Sequence, residues 1–410
     1  MQPDAACQQW GGLFLRQTRR HLERRSPVPH YDAIVLGVGG MGSAALYHLA
    51  RRGLRVLGLE RYNIPNDMGS SHGLTRIIRL AYYEHPSYVP LLRRAYELWR
   101  QLENTVEERL LVITGSIDAS AEGDHIIEGS RASCEIHHLP HEVLDSRELN
   151  KRFPGYRLPE GILALYQPDG GFLLPERCIV AHVIAAQEMG AEVHGREPVV
   201  DWEPAGRGVQ VRTDRGHYSA DKLVICAGAW GPKLMSELSK LAVPERQVLA
   251  WFQPIRPDLF RLHTFPVFNI AVEEGRFYGF PAYGIPGFKV GRYHHLSQRV
   301  DPDAMDREVH REDEDVLRGF TARYFPDAAG PTMSLMTCIF TNTPDEHFIL
   351  DLHPRLPQVC IAAGFSGHGF KFCSVVGEIM ADLAQDGRSR YDLDLFSLRR
   401  FTETPSLPPA

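Results

Sequence analysis

The sequence predicts an α/β protein in which a parallel sheet wound with helices is interleaved with an α+β portion built on an antiparallel-rich sheet. Three observations carry this. A glycine-rich turn stands between two short apolar runs near the start of the chain. A second glycine-rich loop precedes a helical pattern near its end, and an alternating aromatic segment lies between them. At 410 residues the chain exceeds one simple core, so two domains are the default.

The first element is "YDAIVLGVGGMGSAALYHLARRGLRVLGLER", from Tyr31 to Arg61. Residues 32–36 form a short apolar run, as a strand buried on both faces does. The run enters Gly37-Val38-Gly39-Gly40-Met41-Gly42, and a helical pattern continues through Leu46 and Leu49 to Gly53, where a glycine ends a helix. A second strand, Leu54 to Leu59, ends at Glu60, 18 residues beyond Gly42. Each part has a physical duty: Gly37 permits the tight turn, Gly39 admits a pyrophosphate close to the backbone, and Gly42 lets helix and strand pack. The pyrophosphate sits on the unpaired N–H groups of the helix N-terminus, and Glu60 accepts hydrogen bonds from a ribose. Strand, turn, helix, strand and acid in this order predict a Rossmann-like dinucleotide-binding domain.

Further on, "VQVRTDRGHYSADKLVICAGAW" reads as two strands joined by a turn at Asp214-Arg215-Gly216. "LPQVCIAAGFSGHGFKFCSVVGEIMADLAQDG" reads as a strand, a loop with Gly364, Gly367 and Gly369, and an amphipathic helix. The nucleotide domain is therefore expected over 31–85, 146–232 and 339–396, with a substrate domain over 86–145 and 233–338. "RFYGFPAYGIPGFKVGRYHH", in the second insertion, alternates as a sheet lining a pocket does. Residues 1–30 are expected to be a basic, poorly ordered extension and 397–410 a tail.

A net charge of −6 gives no reason to expect a nucleic acid partner. No apolar run approaches the roughly 18 residues of a membrane span. Seven cysteines, an odd number with no C-x-x-C pair, argue against a disulfide framework or a zinc ribbon. No metal is expected, and the cysteine usage points to a reducing, cytoplasmic setting. The arginines of "LFLRQTRRHLERRSPVP" leave an organelle import signal open. The C-terminal "SLPPA" carries no peroxisomal tripeptide.

"SLMTCIFTNTPDEHFILD" poses a separate question, because a lone Cys338 is ordinarily a small core hydrophobe. Four blocks taken together resemble the monomeric sarcosine oxidase family, with its N-methyltryptophan, pipecolate and fructosyl amino acid oxidase relatives. They are the glycine fingerprint, "SSHGLTRIIRLAY", "YGFPAYGIPGFKVGRYHH" and "TCIFTNTPDEHFILDLHP" with "AAGFSGHGFKF". The resemblance runs from Tyr31 to about Phe396. It implies FAD, held covalently through a thioether to Cys338, with Gly37, Gly39, Gly42, Glu60, Ser70, Thr75, Arg76, Gly364, Gly367 and Lys371 as cofactor-binding residues.

It also implies that Arg79 and Lys371 grip a substrate carboxylate, the arginine as a planar fork and the lysine as a point charge. Arg76 and Arg79, three apart, would stand side by side on a helical turn or tight bend. Lys289 matches the lysine that activates oxygen, where a fixed cation stabilises developing negative charge. Tyr278 retains a pocket aromatic. The family's active-site histidine falls by count on Tyr293, but one extra residue before Asp301 shifts the choice to His294. Phe340, Asn269, Ser71 and Leu74 depart from the sarcosine-specific pattern, so the pocket differs while the redox residues are kept. The expected activity is that of a monomeric FAD-dependent oxidase of a small secondary-amine amino acid, yielding an imine and hydrogen peroxide from oxygen. A flavin amine dehydrogenase with another acceptor, a nicotinamide enzyme and a non-catalytic flavin-binding protein are the alternatives.

Overall fold

The computed structural model describes residues 28–401; the remainder of the basic extension and of the tail lies outside the described residues. β1 (His30–Leu36) pairs in parallel with β2 (Val56–Leu59) on one side and with the strand His217–Ile225 on the other. Its residues alternate between two apolar clusters, Ala33 and Val35 on one face and Ile34 and Leu36 on the other. That two-sided burial is why Ala33 to Leu36 carries no polar residue. α1 (Gly40–Arg51) follows the glycine turn, is capped at Arg52, and is stopped by Gly53 at φ +80°.

The strand His217–Ile225 serves two neighbours. Its first half pairs antiparallel with Gly208–Thr213, and its last residues pair in parallel with the late strand Leu356–Ala363. The chain thus returns to its first sheet after a long excursion. The helix Cys373–Asp386 then packs on α1 so closely that a Cβ on Gly377 would lie 2.4 Å from the carbonyl carbon of Ala44.

The excursion builds a second eight-stranded sheet. Its order is Thr332–Asn342, Val243–Phe252, Phe288–Arg292, Gly275–Phe280, Val267–Val272, Ser116–Ala121, Ile162–Gln167 and Glu142–Asp145. Every neighbouring pair is antiparallel except Val267–Val272 with Ser116–Ala121. One face is closed by the helix Arg311–Tyr324, where the rings of Phe277 and Phe320 stack at 3.8 Å. A small third sheet joins β3 (Arg76–Ile78) to Gly171–Leu173 and Leu111–Ile113.

Some segments cross the expected boundaries. Ile162–Gln167, expected in the nucleotide domain, pairs in the second sheet. α2 (Tyr88–Val106), expected in the substrate domain, packs on the first core through Leu91, Leu92, Ala95, Leu98, Trp99 and Leu102. These recur at helical spacing, so one face of α2 must be buried, and Trp99 Nε1 donates to Lys371 O at 2.9 Å.

Candidate active site

Strand register puts the pocket residues on one face. Tyr278 lies opposite Gly291, and Phe280 opposite Lys289. Lys289 lies opposite Trp251, and Gln247 opposite Cys338. Because side chains alternate along a strand, Tyr278, Lys289, Trp251 and Cys338 emerge together on the face away from the phenylalanine core. Phe340, two residues from Cys338 on the same face, and Arg76 line a cleft together with Gly37, Gly39, Glu60, Ser70, Gly364 and Gly367.

The cleft suits a dinucleotide. A Cβ on Gly42 would lie 1.8 Å from Gly37 O, and one on Gly37 would lie 2.7 Å from Cys226 O. Gly39, in contrast, has nothing within 4 Å of that position, so its open side is available to a phosphate. Glu60, at the end of β2, accepts from Val38 N at 2.8 Å and from Tyr62 N at 3.0 Å. Burial pushes its carboxyl upward against those bonds.

Arg76 ties the cleft to the second sheet. Its guanidinium donates to Ser70 O at 2.8 Å and Thr75 O at 2.9 Å, and one nitrogen lies 3.6 Å from Cys338 Sγ. Cys338 is buried, with Ser70 O at 3.9 Å. Lys289 is 2 % exposed and donates to Gly73 O, Thr75 O and Thr75 Oγ1 at 2.6–2.9 Å, three acceptors for the three hydrogens of an ammonium. Its nitrogen stands 4.4 Å from the centre of the Phe280 ring. Burial, with Arg76 adding to it, lowers its pKa well below that of an ordinary lysine. No carboxylate bonds to this ammonium, so its charge is costly where it stands.

Arg76 and Arg79 are not side by side. They bracket a strand, where residues three apart face opposite ways, and the expected helical turn gives way to β3. Arg79 is 1 % exposed. It donates to both oxygens of Glu84 at 2.9 and 3.2 Å and to Ala81 O, and stands 3.5 Å from Asp118. Burial alone would raise the Glu84 carboxyl, but Arg79, with His368, Lys371 and Arg276 behind it, holds it at about 2. Among the described residues Lys371 Nζ donates to His368 O alone, at 2.7 Å, leaving hydrogens of its ammonium free there. Burial, then Arg79, brings its pKa down to about 7.

His294 does not join this group. It stands between Glu245 at 3.0 Å and Glu346 at 2.9 Å with 36 % of its side chain exposed. Hydrogen bonds to those carboxylates raise its pKa to about 9, so at neutral pH it holds a proton and cannot serve as a base. The inward side chain is Tyr293, whose ring meets Tyr278 at 5.2 Å and Phe340 at 5.8 Å. The extra residue is absorbed by the turn after the strand Phe288–Arg292, which carries His294 at φ +52°. Asn269 turns its amide to Asp118 at 2.9 Å.

Sequence reasoning passed over Glu84, Asp118 and Arg276. The two acids had no local signal, because they meet Arg79 only through the fold. Arg276 did have one: it alternates with Tyr278 on the same strand and therefore shares its face.

Residues 32–383 match the family model of FAD-dependent oxidoreductases, DAO. The chain is 42 % identical over 385 residues to monomeric sarcosine oxidase of Streptomyces avermitilis, covering 92 % of this chain and 100 % of that protein. It is 35 % identical over 373 residues to N-methyl-L-tryptophan oxidase of Yersinia pestis, covering 90 % and 99 %. Among solved structures it is similar to NikD, an unusual amino acid oxidase essential for nikkomycin biosynthesis. There the TM-score is 0.79 and the identity 28 %, over 90 % of this chain and 97 % of that one. No helix among the described residues is long and apolar enough to cross a membrane. With the nucleotide turn and the cleft in one frame, the chain belongs to the DAO family of FAD-dependent oxidoreductases.

Proposed function

We propose that the protein oxidises a small amino acid with a secondary amine, giving an imine that water hydrolyses, and that its FAD is linked through Cys338. The observation that supports this best is the shared face of Tyr278, Lys289 and Cys338, with Arg76 joining it to the dinucleotide cleft. FAD bound there would supply a two-electron acceptor for the C–H bond beside nitrogen, with oxygen as the final acceptor and hydrogen peroxide as the product. Lys371 offers its free N–H groups to the substrate carboxylate, within the field of Arg79. Nearby cations favour the neutral amine, which alone can give up a hydride equivalent. Tyr278, Tyr293 and Phe340 wall the reacting end from water. The protein is proposed to act as a monomer.

Phe340 brings no hydroxyl and Asn269 is committed to Asp118, so the pocket has few groups with which to grip a very small polar substrate. A panel of sarcosine, pipecolate, proline and N-methylated larger amino acids, followed as peroxide, is expected to favour a larger secondary amine in kcat/KM. A preference for sarcosine of about tenfold or more, about 1.4 kcal/mol, would refute that pocket reading. Absence of peroxide with every amine would refute the oxidase reading itself.

The Lys371 ammonium sets a pH dependence. Its charged form is present below about 7 and is lost above it. A carboxylate without an amine, such as propionate, is expected to bind more weakly as pH rises through that value. Lys371→Met should remove this limb, which titration of the flavin absorption spectrum checks.

A further inference from the structure

Three cations converge near the pocket, and they are not equally occupied. Arg79 already has Glu84 and Asp118. Lys371 has hydrogens left for one substrate carboxylate. Arg276 is surplus. It lies two residues from Tyr278 on the same face, and among the described residues its guanidinium makes no hydrogen bond. It forms a long ion pair, 3.9 Å to Oε2 of Glu346, whose Oε1 meets His294 at 2.9 Å. Only 16 % of the Arg276 side chain is exposed.

Aromatic rings flank it. The guanidinium lies 3.7 Å from the centre of the Tyr293 ring and 5.8 Å from that of Tyr83. The Tyr83 hydroxyl is buried with no hydrogen-bond partner. A guanidinium carries five donors and cannot discharge, and an ion pair at 3.9 Å satisfies none of those donors with a hydrogen bond. A neutral group would satisfy a donor or two; only an anion repays the charge as well. Arg276 lies beside the partly exposed Glu346 and two residues from Tyr278 on the same strand face, within reach of a side chain on a substrate whose amine lies near Tyr278.

We propose that Arg276, with the Tyr83 hydroxyl beside it, recognises a carboxylate on the substrate's side chain, so that the preferred substrate is an N-alkylated acidic amino acid. This rests on the amine oxidase reading above and narrows its substrate class.

The test uses the flavin-loaded protein and anaerobic flavin reduction, comparing N-methyl-L-glutamate with its neutral isostere N-methyl-L-glutamine and with sarcosine. N-methylglutamate is expected to exceed N-methylglutamine by about tenfold or more in kcat/KM, which is about 1.4 kcal/mol. In Arg276→Gln the ratio should fall to near one, and Arg276→Lys should restore part of it. Independently of any variant, glutarate should perturb the wild-type flavin spectrum at lower concentration than butyrate. Equal rates for the glutamate and glutamine analogues, or equal affinity for glutarate and butyrate, would overturn the assignment. So would an Arg276→Gln variant that loses all substrates equally, since Arg276 would then hold the carboxylate common to them. If sarcosine reduces the flavin but the acidic analogue shows no advantage, only the Arg276 assignment fails. If no N-alkyl amino acid reduces it, the reading on which it rests fails first.

Discussion

Flavin is expected to stay with the polypeptide when the wild-type protein is precipitated in acid, and to be released when Cys338 is replaced by Ala or Ser. The thiol lies 3.6 Å from the Arg76 guanidinium, which also lines the dinucleotide cleft. The other cysteines near the cleft lack this. Burial pushes the Cys226, Cys360 and Cys373 thiols upward, and no cation reverses it. Mass spectrometry of the digested protein should find the Cys338 peptide heavier by one FAD. The variants should take up FAD reversibly and yield a colourless pellet. A colourless pellet from fully loaded wild type would refute the linkage.

Lys289→Met is expected to slow reoxidation of the reduced enzyme by oxygen by about 100- to 1,000-fold, the usual loss when one electrostatic stabiliser is removed. Flavin reduction by substrate should change far less. The reason is the ammonium's setting: buried, against Phe280 and Trp251, and with its hydrogen bonds going to Gly73 and Thr75 rather than to a carboxylate. Stopped-flow mixing of reduced enzyme with oxygenated buffer separates the half-reactions. An equal loss in both would instead assign Lys289 to holding the turn at Gly73 and Thr75, which its three hydrogen bonds also do.

The nucleotide half of the fold was legible because its signals are local. A buried strand, a glycine turn and an acid at the next strand's end all lie within one stretch, from Tyr31 to Glu60. The alternating aromatic run likewise revealed a sheet and the face carrying Tyr278 and Lys289. What escaped was whatever depends on pairing between distant segments. Ile162–Gln167 belongs to the second sheet only because Ser116–Ala121 is its neighbour. The environment of Arg79 depends on Asp118, which nothing near either residue announces. The choice between Tyr293 and His294 turned on one inserted residue, and only the turn geometry decides which side chain faces in.

The strand Thr332–Asn342 has a consequence for how the enzyme matures. It is the edge of its sheet, and it presents Cys338 only after pairing along Val243–Phe252. The glycine turn that holds the far end of the cofactor comes from the opposite end of the chain. Under the proposed linkage, the bond therefore forms last, on a chain already folded and already holding its flavin. Folding and binding before that step are reversible; the thioether is not. It acts as a ratchet, withdrawing each finished molecule from the exchange between loaded and empty forms that would otherwise set its stability. A substitution that merely loosens the second sheet would then be recorded as unlinked flavin in the mature population, long before any loss of polypeptide.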